Sequence, residues 1–287
     1  MSTSPGQPAR WELAHDHGFH AAARVQEIWR YRRLVWFFAR QSFVSLYAKT
    51  QLGWAWILIR PLAPLVVGAL VYGGVMGVPS VEVPYFLFLL VGSIAWNAFD
   101  GPWMWGGRGI ELQRKLITKL YLPRMILPAG AMARGFIEPL VYIGVLLLML
   151  PYYRYSDGTW YLAVSWDLLT APLFLLLAAS LAFSLALWTS NWQARARDVR
   201  FGLAYFLSFW MYVTPVIYPA SQVPERFRAF VWLNPMATVV EGFKGAIFGW
   251  AFPPAWAVLL ACGEVVVVFL SGFWYFHLLE SETTDKL

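Results

Sequence analysis

The chain has 287 residues, of which 59% are hydrophobic, 18% aromatic and only 13% charged. Soluble domains carry about 25% charged residues, so a water-soluble globular fold is excluded, and several apolar runs exceed the roughly 18 residues that mark a membrane helix. The net charge of +6 with a single cysteine, Cys262, leaves no intrachain disulfide and no cysteine metal set, and it reads as basic residues on the cytoplasmic side rather than a nucleic-acid surface.

Residues 1–19 read as a flexible leader. No cleavable signal peptide is expected: the first 33 residues are polar, and the apolar run 34–39 is short and closed by Arg40. Residues 20–52 mix Trp29, Trp36, Phe37, Phe43 and Tyr47 with basic residues, as an amphipathic helix on the inner leaflet does. Six spans follow, at 57–77, 84–105, 126–150, 166–190, 200–218 and 255–279, each long enough for about 30 Å of hydrocarbon at about 1.5 Å per residue. The loop after the second span alternates charge with apolar side chains around Arg108, Glu111, Arg114, Lys115 and Lys119, which predicts a short amphipathic cytoplasmic helix that lies on the membrane or inserts into a soluble partner. The external 219–254 segment is apolar but broken by Pro219, Pro224, Pro235, Pro253 and Pro254, so its helical pieces are too short to span and are expected to re-enter the membrane or lie at its surface.

Placing the basic residues orients the chain. The N-terminal region, the 106–125 loop, the 191–200 loop and the tail hold Arg10, Arg24, Arg30, Arg32, Arg33, Arg40, Lys49, Arg60, Arg108, Arg114, Lys115, Lys119, Arg124, Arg195, Arg197, Arg200 and Lys286. The opposite side holds only Arg154, Arg226, Arg228 and Lys244. Both termini are therefore predicted in the cytoplasm.

The chemistry-bearing residues are sparse. No Gly-x-x-x-x-Gly-Lys-Ser/Thr occurs, so a P-loop is absent and any ATP is bound elsewhere. His15, His17 and His20 lie in the leader without carboxylate partners, and no metal site is expected; His277 stands alone at a membrane edge. Asp100, Arg134, Glu138 and Glu264 fall within spans, where a charge is costly and points to function by default. Arg134 and Glu138, four residues apart, are expected to form an intramembrane ion pair. Gly73/Gly77 and Gly245/Gly249 have the spacing of close helix contacts. In the fifth span Tyr205, Phe209 and Tyr212 share one face. Aromatic faces stack on sugar rings and can guide a polymer; the alternative is lipid-facing or helix-packing aromatics.

Several stretches carry a resemblance. They are Tyr47-Ala48-Lys49-Thr50-Gln51-Leu52-Gly53-Trp54-Ala55-Trp56 leading into Arg60-Pro61; Leu116-Ile117-Thr118-Lys119-Leu120-Tyr121-Leu122-Pro123-Arg124; Arg197-Asp198-Val199-Arg200; Thr214-Pro215-Val216-Ile217-Tyr218-Pro219; and Leu233-Asn234-Pro235-Met236 followed by Glu241-Gly242-Phe243. Together they resemble the permease subunit of ABC-2 type polysaccharide exporters, the transporters of O-antigen, capsule and teichoic acid, with wording nearest the O-antigen branch.

The resemblance implies an all-α polytopic fold of six transmembrane helices, with an N-terminal interfacial helix, a cytoplasmic coupling helix at 106–123 and external gate helices at 224–250. It implies a homodimer in the bacterial inner membrane, paired with two ATPase subunits that bind ATP and Mg, and no cofactor or catalysis in this chain. The substrate implied is a polysaccharide on an undecaprenyl-type lipid, moved through an aromatic-lined channel at the dimer axis. On that basis Tyr205, Phe209 and Tyr212 would line the channel, and Lys49, Arg60 and Arg124 would meet the headgroup. Arg108, Glu111, Arg114, Lys115 and Lys119 would couple to the ATPase, and Arg226, Arg228, Phe230 and Trp232 would form the external gate. Two other classes remain open. A membrane-embedded transferase would need an acid–base cluster, which Asp100, Glu138 and Glu264 on three separate helices do not supply. A secondary transporter would need paired repeats.

Overall fold

The computed structural model describes residues 29–47, 55–78, 82–114 and 124–284. Among these there is no strand. Helix α1 is Arg32–Tyr47, α2 Trp56–Gly68, α3 Tyr85–Gly107, α4 Gly109–Leu112, α5 Ile126–Met132, α6 Ile137–Ser156, α7 Ala171–Arg195, α8 Arg197–Val213, α9 Glu225–Trp232, α10 Pro235–Phe248 and α11 Ala255–Thr284. Four helical segments are long and apolar enough to cross a membrane: Trp56–Val75, Ile126–Ser156, Trp166–Arg195 and Ala255–Phe276.

Helix α3 is the axle of the bundle. It packs against α5, α6, α7 and α10, and Leu87, Phe88, Leu90, Val91, Ile94, Ala95 and Phe99 are inaccessible. This burial places α3 inside the bundle, with its few polar residues, Ser93, Asn97 and Asp100, along one side. Its crossing with the 3₁₀ turn Ala133–Phe136 is backbone against backbone: a Cβ on Gly135 would enter the Gly101–Pro102 peptide. Two glycines facing each other permit this approach, as at other tight membrane crossings.

Proline shapes the neighbouring elements. Helix α2 contains Pro61 and Pro64 and continues as a π-helical stretch, Ala69–Val75. Each proline removes one backbone donor and loosens the ladder, and wide turns of this kind recur at functional sites. Helix α8 ends at Val213, five residues before the expected end of the fifth span, because Pro215 cannot continue the hydrogen-bond ladder.

The Gly-x-x-x-Gly spacings serve the single chain. Gly73 lies under the Tyr85 ring, Gly77 has φ +62° beyond the π-helical stretch, and Gly249, at φ +74°, is the left-handed cap that ends α10. The long partner pair α7 and α11 is zipped by rings: Trp188 stacks on Tyr275 at 4.3 Å, and Trp192 Nε1 donates to the Tyr275 hydroxyl at 2.7 Å.

The described part of the expected interfacial region is α1. Phe38 is buried with Ile126 and Leu127, and Tyr31, Leu34 and Val35 join them, while Trp29, Trp36 and Phe37 stay exposed. One stripe thus docks on α5 and aromatic side chains remain on the outside. Within the 219–254 segment the structure has two short helices, α9 and α10. Helix α10 is driven into the bundle, with Met236, Val239, Val240, Phe243 and Ala246 buried.

Candidate functional site: a groove between α2, α3, α6 and α8

Two half-open hollows lie end to end between these four helices, about 440 Å³ and about 470 Å³ in volume. They share Arg60, Trp96, Asp100, Glu138 and Met211, so they form one continuous groove. The first extends to Trp105 and Arg108, the second to Tyr72, Tyr212 and Ile217. Trp96 and Asp100, four residues apart on α3, face the groove together.

Charges meet at mid-height. Arg60 Nε on α2 lies 3.6 Å from Glu138 Oε1 on α6. Arg134, expected to pair with Glu138, sits in the same wall with its guanidinium 3.6 Å from the centroid of the Trp105 ring. The 3₁₀ turn separates Arg134 from Glu138, so the two do not follow one another along a regular α-helix. Arg108 lies over the same indole at 4.7 Å, which places two cations against one ring, an electrostatically favourable contact.

One end of the groove is tied together by ions. Glu111 on α4 accepts ion pairs from Arg108 and from Arg200 on α8, each at 3.6 Å. Burial, and then the neighbouring Arg200, lower the pKa of Arg108 from its ordinary value. Arg114 is exposed just beyond α4. Arg124 stands at the start of α5, outside the lining of the two hollows. Lys49, Lys115 and Lys119, and with them His15, His17 and His20, lie outside the described residues.

The aromatic face of α8 is divided. Tyr212 lines the groove, and Tyr205 and Phe209 continue the same outward strip, 79% and 69% exposed. The opposite side turns inward: Trp210 packs edge-on against Phe99 at 5.1 Å, Trp96 at 6.3 Å and Trp103 at 6.2 Å. Its Nε1 donates to Asn234 Oδ1 at 3.0 Å. That oxygen also accepts from Met236 N, and Asn234 Nδ2 donates to Thr214 Oγ1 at 2.9 Å. Asn234 therefore caps α10 and fixes the groove wall at once.

A second bolt is Lys244 of α10. It is fully buried, donates to Pro215 O at 2.6 Å, pairs with Glu241 at 3.2 Å and lies 3.8 Å from the Phe88 ring centroid. On α9, Arg226 lies over Phe227, Arg228 pairs with Glu225 at 3.9 Å, Phe230 is exposed and Trp232 is half-buried. Asn97, Trp105, Tyr142, Trp210, Asn234 and Lys244 are site residues that spacing alone did not single out. Trp96 with Asp100, at i and i+4, is the one signal that could have shown the groove-facing side of α3.

The sequence model of the ABC-2 type transporter family matches residues 33–248, which takes in every helix of the groove. This chain belongs to the ABC-2 type transporter family. It is similar to the O-antigen export system permease protein RfbA of Myxococcus xanthus, 24% identical over 86% of this chain and 92% of that protein. It is also similar to RfbA of Klebsiella pneumoniae, 23% identical over 69% of this chain and 73% of that one. The polysialic acid transport protein KpsM of Escherichia coli is 25% identical over 70% of this chain and 76% of KpsM. The chain is thus an ABC-2 permease related to polysaccharide exporters, a non-catalytic transmembrane component and multi-pass by its apolar helices. An ABC-2 permease has an ATPase as its partner in the transporter.

Proposed function

We propose that the chain is the membrane half of an ATP-driven exporter that moves undecaprenyl-linked polysaccharide, O-antigen in the first place, across the bacterial inner membrane. The observation that carries this reading is the groove itself. It runs along the bundle, is half-open on its length, and is flanked by exposed apolar side chains on α2 and its π-helical continuation (Val66, Val67, Leu70) and on α8 (Tyr205, Phe209). A second copy set against these flanks would close two grooves into one channel. Six crossings follow if α3 and α8 are added to the four long apolar helices, and the uneven distribution of basic residues then keeps both termini in the cytoplasm.

In this arrangement the Trp105–Arg108–Glu111 end faces the cytoplasm, and the segment 106–123 receives the motion of two ATPase subunits. Arg60 and Arg124, with Lys49, meet the anionic linker of the lipid. Helices α9 and α10 form the external gate, and ATP-dependent contacts must favour one state of the groove over another. The KpsM relatives keep a capsular polysaccharide as the second reading.

The test is co-purification of the full chain in detergent, with mass spectrometry and an ATPase assay. The expected result is a stoichiometric P-loop subunit whose hydrolysis responds to lipid-linked glycan. A chain that purifies alone, with no associated ATPase, overturns the reading. In cells, Arg60→Ala and Arg124→Ala are expected to cut export while membrane insertion persists, and full export by both removes the headgroup assignment.

A further inference from the structure

We propose that the middle of the groove is a hydroxyl-binding subsite that accepts uncharged sugars and disfavours anionic ones, with Asp100 setting the preference. This rests on the export reading above and narrows its substrate class.

The argument is an inventory of unused hydrogen-bonding capacity. The Tyr142 hydroxyl donates to Pro61 O at 3.0 Å, and Asn97 Nδ2 donates to Ser93 O at 2.9 Å. The guanidinium at this height, Arg60, is engaged by Glu138 at 3.6 Å. The Asn97 and Tyr142 donors are thus turned onto the protein, and Arg60 gives its Nε side to Glu138. At this height Asn97, Tyr142 and Asp100 offer the hollow acceptor capacity: the amide carbonyl oxygen, the lone pairs of the hydroxyl and the carboxylate. Among the described residues Asp100 makes no hydrogen bond or ion pair, although it lines both hollows. A recessed carboxylate without a partner is costly unless a ligand or water supplies donors.

Sugar hydroxyls are such donors, and Tyr212, at the upper end of the groove, offers a ring face for the apolar side of a pyranose. The charge balance acts in the same direction. The ionisable residues that line both hollows, where they meet, are Arg60, Asp100 and Glu138, one cation against two carboxylates, while Arg108 lines only the first hollow and Arg134 lies against Trp105. A uronic or sialic acid unit passing here meets more negative than positive charge. A neutral hexose meets acceptors for its hydroxyls.

The experiment is isothermal titration of the full chain, with any co-purifying ATPase retained, in lipid nanodiscs at low salt. The probes are maltoheptaose, which is neutral, and a heptamer of galacturonic acid, which is anionic and of equal length. Wild type is expected to bind the neutral probe about tenfold more tightly, the scale of one partly screened charge repulsion. Asp100→Asn is expected to bring the ratio close to one, whereas Asp100→Glu keeps it. Equal or reversed preference in wild type overturns the proposal, as does an unchanged ratio in Asp100→Asn or no binding of either probe at millimolar concentration. Those results with an ATPase still bound leave the exporter reading standing. A preserved sugar preference in a chain without any ATPase removes the exporter reading alone.

Discussion

Asn234 shows how one side chain can serve two structures. Its Oδ1 accepts from both Met236 N and Trp210 Nε1, and its amide reaches Thr214. Replacing it with alanine removes a helix cap, worth about 1 kcal/mol, and leaves the part-buried indole N–H of Trp210 without this acceptor, worth a further ~1 kcal/mol. Asn234→Ala is therefore expected to lower the thermal midpoint of the detergent-solubilised protein clearly, and Thr214→Val to lower it less. Equal midpoints for wild type and Asn234→Ala would contradict the bridging role. The sequence does place Asn234 before Pro235, and an Asn–Pro start is a legible helix signal. The bond to Trp210 is not legible, because the partners are 24 residues apart and α8 is aromatic on both sides.

At the scale of elements, the decisive contact is the crossing of α3 with the turn 133–136. A methyl group at Gly135 would occupy the space of the Gly101–Pro102 backbone, and backbone cannot step aside as a side chain can. Gly135→Ala is expected to cost about 3 kcal/mol or more and to reduce the monodisperse peak in fluorescence-detected size exclusion. Gly144→Ala, where an added Cβ meets nothing within 4 Å, is the control and should be neutral or slightly stabilising. The apolar runs coincide with helices in the structure, four of them long and apolar enough to cross a membrane among the described residues. The end of α8 was missed because Val216 and Ile217 extend the apolar run past Pro215, and hydropathy does not register a missing N–H. The prolines of the 219–254 segment predict short helices there. That α10 lies buried against α3, α7 and α11 became visible only in the packed bundle.

For the whole molecule, the outward strip of α8 and the apolar flank of α2 carry the dimer reading. In a Cys262→Ser background, Phe209→Cys is expected to give a disulfide-linked dimer on mild oxidation in native membranes. Leu147→Cys on α6, 63% exposed but on an element away from the strip, should not. Cross-linking through Leu147 and not Phe209 would place the symmetry axis elsewhere.

Composition and run length by themselves determined that this is a polytopic helical membrane protein, and scattered motifs determined its family. These properties are set by transfer of each segment from water to lipid, which depends on local sequence alone. The tertiary structure decided which polar groups converge. Arg60, Asn97, Asp100, Glu138 and Tyr142 come from three helices and meet in one groove. Their pairing depends on crossing angles, fixed by glycine contacts and proline breaks such as Gly101 against Gly135 and Pro61, that bring together helices distant in sequence. A one-dimensional pattern records which side of a helix is polar, but not what stands opposite it.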